Sequence, residues 1–253
     1  IYGNLFRPDL AQKTTRLPVK YDARLPINEQ VISNETAVYV NRDSLTIKYQ
    51  DNYVSCLPYS VKKFPVEWMG SANGELTGAF FNRIQRIACP FIITMCIHIP
   101  DQTSAASKAQ NNMLRATQMK DTDVGKYVPQ WKGRHADWTY VVGCMDQGSR
   151  LIRASYQIVL FAPQGTEQGC EQSLRNVFSA NGWNLVKDRF CTVPRVMSSM
   201  PMWIGRESFE LMDKLKFFST LLSWNAVNLA PWIAEWKGNV PYGQDPMLMF
   251  LGR

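Results

Sequence analysis

Alternation of apolar and polar residues first becomes regular at Ala37. Ala37 to Val40 is followed by Leu45, Ile47 and Tyr49 alternating against Thr46 and Lys48, and then by Tyr53 to Leu57. A period of two puts one set of side chains on a buried face. With Asn41-Arg42-Asp43-Ser44 and Gln50-Asp51-Asn52 as turns, the pattern predicts a three-stranded antiparallel meander. The preceding segment mixes Pro8, Pro18 and Pro26 with charges and has little period, so residues 1–36 read as an extended arm.

Beyond the meander the period changes. Gly70 to Gly78 reads as an ordinary loop: its glycines invite comparison with a phosphate cradle, but the Gly-Lys-Ser/Thr ending is missing and no apolar strand feeds it. A helix is expected over Phe80 to Ile87, and Pro90 opens a buried strand over Phe91 to Ile99. Ser104 to Met119 carries a thin apolar stripe of Ala105, Ala109, Met113 and Ala116 at helical spacing. Val128 to Met145 reads as a second helix with Trp131, Trp138, Val141 and Val142 on its apolar side. The two form a helical insertion at about 104–145, a contact surface or lever rather than a core element.

The clearest local unit is Ala154 to Val186. Tyr156, Ile158 and Leu160 alternate with Gln157, Val159 and Phe161 as a strand. Thr166 is placed to cap a helix whose apolar face is Cys170, Leu174, Val177 and Phe178. Asn181-Gly182 then supplies a left-handed stop, and Trp183 to Val186 departs as the next strand. The order Tyr53 strand, Phe80 helix, Phe91 strand forms an earlier unit of the same kind. Two β-α-β halves predict an α+β fold: a ferredoxin-like antiparallel sheet with a helical insertion and an extra N-terminal β-meander, over residues 37–187. A helix is expected over 207–222, where Leu211, Leu215, Phe218 and Leu222 share a stripe and Glu210 pairs with Lys214. Residues 188–253 read as a helical segment and a connector.

Length and charge narrow the class only a little. At 253 residues, with 45% hydrophobic and 19% charged content, the chain has ample material for a core. A net charge of +7 favours contact with phosphates or anionic headgroups without choosing between them. The longest apolar runs, Phe91 to Ile99 and Phe217 to Trp224, fall short of the roughly 20 residues that cross a bilayer. Cysteines at 56, 89, 96, 144, 170 and 191 are scattered within apolar patterns, as buried free thiols are, and imply a reducing cytoplasm. Cys89, Cys96 and His98 lack the further ligand pair that a tetrahedral metal site needs.

No catalytic set emerges. His98 lies within an apolar strand and His135 in a basic stretch, and neither a Gly-x-Ser-x-Gly elbow nor a His-Glu-x-x-His pair occurs. Lys126, Lys132, Arg134, Arg150 and Arg153 interleave with Tyr127, Trp131 and Trp138, the composition of single-strand nucleic-acid grooves. The same spacing also suits a solvated helix with its aromatics turned inward. Hence a nucleic-acid-binding module with a basic aromatic surface stands as the alternative function.

Three blocks carry a resemblance. Asn225-Ala226-Val227-Asn228-Leu229-Ala230-Pro231, Cys89-Pro90-Phe91-Ile92-Ile93-Thr94, and Asn181-Gly182-Trp183-Asn184-Leu185 followed by Arg189-Phe190 occur in the order found in one family. They resemble the TraC family of conjugative pilus-assembly ATPases of type IV secretion, over residues from about 66 onward. The resemblance implies a non-catalytic N-terminal region that docks a cytoplasmic ATPase onto inner-membrane subunits of the secretion channel, peripheral to the bacterial inner membrane. It implies a following domain that takes ATP and Mg and forms homo-oligomeric rings, while these residues hold no cofactor. The apolar run Met247 to Leu251 reads as a strand awaiting that domain's sheet. Trp224, Asn225, Asn228, Pro231, Trp232 and Trp236 are then candidates for contact with the following domain or the channel, because Pro231 and Gly238 break the long helix that membrane-surface binding favours.

Overall fold

In the computed structural model, residues 22–24, 36–77, 86–122, 127–128, 130–200 and 203–230 are described. They form a mixed α/β fold around an antiparallel sheet. The expected arm up to residue 35, the expected helix over 80–85 and the strand at 247–251 lie outside the described residues, apart from a short turn at 22–24.

The meander is as expected. β1 (Thr36–Val40) pairs with β2 (Leu45–Tyr49) and β2 with β3 (Asn52–Lys63), each in antiparallel register. Leu45, Ile47 and Tyr49 are buried while Thr46 and Lys48 are only partly covered, as the alternation requires. At 12 residues β3 outruns its hairpin and becomes the shared strand of the sheet. One edge takes β2 as far as Cys56 and then β6 (Asn184–Lys187) from Tyr59 to Lys63. The other takes β5 (Leu151–Pro163) from Val54 to Ser60.

Hydrogen bonding orders the strands β1-β2-β3-β5-β4, where β4 is Phe91–His98; β6 lies on β3, and β7 (Ser219–Leu222) on β5. Because β5 and β6 both run antiparallel to β3, which lies between them, the segment β5, α4 (Glu167–Ala180), β6 is a split β-α-β unit. β5 is buried on both faces for most of its length, not alternately as its sequence suggested, since layers cover it from two sides.

The described chain divides into two compact units: one from Ile1–Thr94 with Tyr156–Met212, the other from Met95–Ser155 with Asp213–Ala230. In the first, Leu45, Ile47, Cys56, Val159 and Phe161 of the sheet pack with Val196 and Met200 of the α5 region (α5, Thr192–Ser198). α4 buries Cys170, Leu174, Val177 and Phe178, the face expected of it. Its start differs from expectation: the Thr166 hydroxyl donates to the Pro163 carbonyl and does not cap the helix. Gly182, at φ +76, ends the helix, and the Trp183 N–H returns to the Phe178 carbonyl at 2.9 Å. Trp183 is thereby placed at the centre of an aromatic cluster, with Trp68 and Tyr156 each 5.1 Å away and Phe64 and Phe178 at 5.4 and 5.7 Å.

The expected loop at 70–78 is helical where described. A 3-10 turn at Gly70–Ala72 leads into α1 (Asn73–Thr77), whose buried Asn73 accepts a 3.0 Å bond from the Trp68 indole. The glycines read as an ordinary loop in sequence; the bond from Trp68 to Asn73 anchors the helical turn instead.

In the second unit, α2 (Gln102–Lys120) and α3 (Gln130–Asp146) pack as an antiparallel hairpin. Ala105 and Ala109 at the start of α2 meet Trp138, Val141, Val142 and Met145 near the end of α3, around Leu151 and Leu222. The thin alanine stripe is the expected one, with Ala109 and Ala116 buried. Asp101 caps α2 by accepting from the Ser104 N–H at 2.8 Å. The Gln102 amide bonds the Leu151 carbonyl and N–H at 3.0 and 3.1 Å, tying the hairpin to β5.

The helix expected over 207–222 is two elements instead. α6 (Arg206–Lys214) stops at Lys216, which sits at φ +61, and Ser219–Leu222 becomes β7 against Leu151 to Ala154. Strand pairing with β5 outweighs the helical spacing of Leu215, Phe218 and Leu222; Leu211 and Leu215 are exposed and Met212 is the buried residue of α6. Glu210 is paired with Arg206 at 3.7 Å, one turn before it, rather than with the expected Lys214 one turn after. β4 also departs from expectation, being half-buried with His98 exposed rather than buried throughout. Among the described residues no helix is long and apolar enough to cross a membrane.

Candidate functional site

The candidate interaction residues sit on two elements of the second unit. The first is α7 (Ser223–Leu229), which begins where β7 ends. A reciprocal pair fixes its start: the Ser223 N–H donates to the Arg150 carbonyl at 2.8 Å, and the Arg150 N–H to the Ser223 hydroxyl at 3.2 Å. Ala226 is buried with Ile152, Ala154, Met95 and Leu221, and Leu229 is buried as well. With that face pinned, Trp224 is left 68% exposed and Val227, one turn on, is also exposed. Asn225 is exposed and Asn228 half-buried. Pro231, Trp232 and Trp236 lie outside the described residues.

The second element is α3. Lys132 and Arg134 are exposed on it, and the Arg134 guanidinium lies 5.0 Å from the centre of the half-buried Trp131 ring. Trp138 packs inward among Ala109, Leu151 and Leu222. Lys126 lies outside the described residues. The two sets rest on different apolar clusters, α3 around Leu151 and Leu222 and α7 around Ile152 and Ala154. Two further exposed side chains, Val227 and Tyr140, escaped the sequence reading. Val227 was within reach of it, being three residues from Trp224 on a helix; Tyr140 had no such signal.

Polar chemistry concentrates in the first unit. A cleft of about 360 Å³ is lined by Asp43, Tyr53, Ser55, Glu167, Glu171 and Lys187 among others. Its charges already satisfy one another: Lys187 pairs with Glu171 and, at 3.3 Å, with Asp43, while the Ser55 hydroxyl donates to Glu167 at 3.1 Å. Nearby, Asp188 accepts from the Ser60 hydroxyl and lies 3.2 Å from the buried Arg195 guanidinium. Burial raises the Asp188 carboxyl above its ordinary range, against the opposing pull of Arg195 and Ser60. These pairs hold α4, β6 and α5 to the sheet.

Among the described residues no two cysteines form a disulfide; Cys56, Cys89 and Cys170 are buried, whereas Cys96, Cys144 and Cys191 are only partly so. Burial pushes the Cys56 thiol up to about 12, and burial together with neighbouring Cys170 pushes Cys89 up to about 12. Thiols so raised are poor nucleophiles at neutral pH. Among the described residues no group of three or more His, Cys, Asp or Glu could hold a metal ion.

A family model described as TraC protein matches residues 1–204. The chain belongs to the TraC family. Protein TraC of Escherichia coli (strain K12) is 24% identical to it over 152 residues, which cover 59% of this chain and 17% of that relative. The matched part is thus a small share of the TraC relative's length. The α3 surface and the split β-α-β unit of β5, α4 and β6 fall within the TraC match, and α7 lies beyond residue 204.

Proposed function

We propose that this chain is the non-catalytic N-terminal part of a cytoplasmic TraC-family ATPase that assembles a conjugative pilus and energises type IV secretion, and that it docks the ATPase onto inner-membrane subunits of the channel. The family match over residues 1–204 carries the reading, and supports a role in conjugation and type IV secretion. Nucleotide and Mg binding, hydrolysis and ring assembly belong in this reading to a following domain. Trp224 and Val227 on α7 supply the docking contact, supported by their exposure on a helix whose other face is pinned. We also read β6-β3-β5-β4 as a ferredoxin-like core, supported by the split β-α-β unit formed around β3. The nucleic-acid alternative is the weaker reading, since Trp138 of its aromatic set packs among Ala109, Leu151 and Leu222.

The test is Trp224→Asp in the full-length protein, followed by conjugative DNA transfer, fractionation with inner membranes and ATP hydrolysis. A charge in the centre of a docking surface should lower transfer and membrane association by about tenfold or more while hydrolysis stays unchanged. Undiminished transfer, or hydrolysis lost in step with transfer, overturns the docking role.

A further inference from the structure

Positive charge gathers at one end of the α2–α3 hairpin. Residues 113–134 hold five Lys and Arg against two Asp, whereas 102–112 and 135–146 together hold one Lys against two Asp. The start of α2 meets the end of α3 around Leu151 and Leu222. The end of α2 and the start of α3 therefore stand at the other end of the hairpin, about 27 Å away by the rise of a helix. No ion pair among the described residues engages Arg115, Lys120, Lys132 or Arg134. Arg153 and Arg195, by contrast, pair with Asp213 and Asp188. Charges of one sign gathered in this way repel one another and attract an anionic partner.

Apolar and aromatic side chains stand among these charges. Ala116 is the buried residue of α2 at this end, and Leu114 and Arg115 beside it are turned outward. Leu114 is 56% exposed, and Tyr127, three residues before α3, is 88% exposed. On α3 the Arg134 guanidinium lies over the half-buried Trp131 ring, and Lys132 is exposed between them in sequence.

We propose that this end of the hairpin rests directly on an anionic lipid surface. Arg115, Lys132 and Arg134 meet the phosphates of the headgroups, and Leu114 and Tyr127 enter the interface between them. Cations interleaved with leucine and aromatic rings match both layers of that interface, the charged one and the apolar one. A nucleic acid is the poorer partner: Leu114 has nothing to stack on a base, and one face of Trp131 is already taken by Arg134. The contact is one of surface only, since neither helix is apolar enough to span a bilayer. It goes beyond the docking role given to Trp224, which concerns channel subunits, and does not depend on it.

The probe is a set of vesicles, of phosphatidylcholine alone and of phosphatidylcholine mixed with an equal part of phosphatidylglycerol, floated with the 253-residue chain. The chain should rise with the anionic vesicles only, and less so as salt is added. Lys132→Gln with Arg134→Gln should weaken that binding about twenty-fivefold, with far-ultraviolet circular dichroism unchanged. Leu114→Ser, which alters no charge, should weaken it about fivefold. Lys62→Gln with Lys63→Gln removes the same charge from the exposed end of β3 and should leave binding within about twofold. Trp224→Asp should leave it unchanged, so that failure of the lipid contact is told apart from failure of the docking role. Absence of binding to anionic vesicles, or equal loss in the two lysine and arginine pairs, overturns the site. Tighter binding to a single-stranded oligonucleotide or to polyglutamate at the same salt overturns lipid in favour of that partner.

Discussion

At the residue scale, Gly182 and Arg195 do the most specific work. Gly182 adopts φ +76, so the backbone selects glycine, while a Cβ there would only come into ordinary contact with the Pro65 Cβ at 3.4 Å. Gly182→Ala should cost about 1–2 kcal/mol, read as a lowered urea midpoint at unchanged slope. Arg195 is buried beside Asp188, and removing one partner of such a pair leaves an uncompensated charge. Arg195→Met should destabilise by about 3–5 kcal/mol, with a definite pH dependence. The Asp188 carboxyl is already raised by burial, and Arg195 is the largest influence lowering it. A carboxyl raised in the folded state favours folding at pH below its unfolded value and loses that contribution as pH rises through the folded value. Loss of Arg195 moves the folded value higher still, so the deficit of the variant should grow as pH is raised from acid toward neutral. Denaturant titrations at several pH values check this; a deficit independent of pH would mean that Asp188 is not the group left uncompensated.

At the element scale, the α2–α3 hairpin has its own seam, closed around Leu151 and Leu222. Its alanine stripe packs on Trp138, Val141, Val142 and Met145, and Gln102 ties its start to Leu151. Replacing residues 104–145 by a short linker keeps Gln102 and removes little of what the first unit needs for its own core. The aromatic cluster around Trp183 should keep its near-ultraviolet dichroism and unfold cooperatively in that deletion. Loss of both signals would place the hairpin in the core of the fold. The boundary between α6 and β7 carries the opposite lesson. The apolar spacing over 207–222 suits one helix, yet Lys216 turns left-handed and Ser219–Leu222 pairs with the start of β5.

At the scale of the whole molecule, the division of labour proposed for the TraC family gives a direct expectation. The chain alone should hydrolyse no ATP above background in a coupled assay with Mg present, because hydrolysis belongs in that reading to a following domain. Turnover that follows the purified chain and is lost on substitution within 70–78 would refute it. The charge of +7 does not by itself choose a partner.

What the sequence by itself determined is what depends on neighbours a few positions away. The meander, the apolar face of α4, the stop at Gly182 and the alanine stripe of α2 follow from periodicity and turn chemistry, and each stands where its pattern put it. The exposure of Trp224 was legible in part, since its segment could be singled out but not its pinned face. Tertiary structure decided whatever depends on remote partners. Trp68 set the helical turn at 70–77, β5 drew residues 219–222 into a strand, and β3 took β2, β6 and β5 on its two edges. The Arg195 and Asp188 pair and the placement of Phe190 beside Arg42 likewise come from segments far apart in the chain. Local propensities differ by about 1 kcal/mol or less per residue, so a few cross-strand contacts and buried side chains are enough to overrule them.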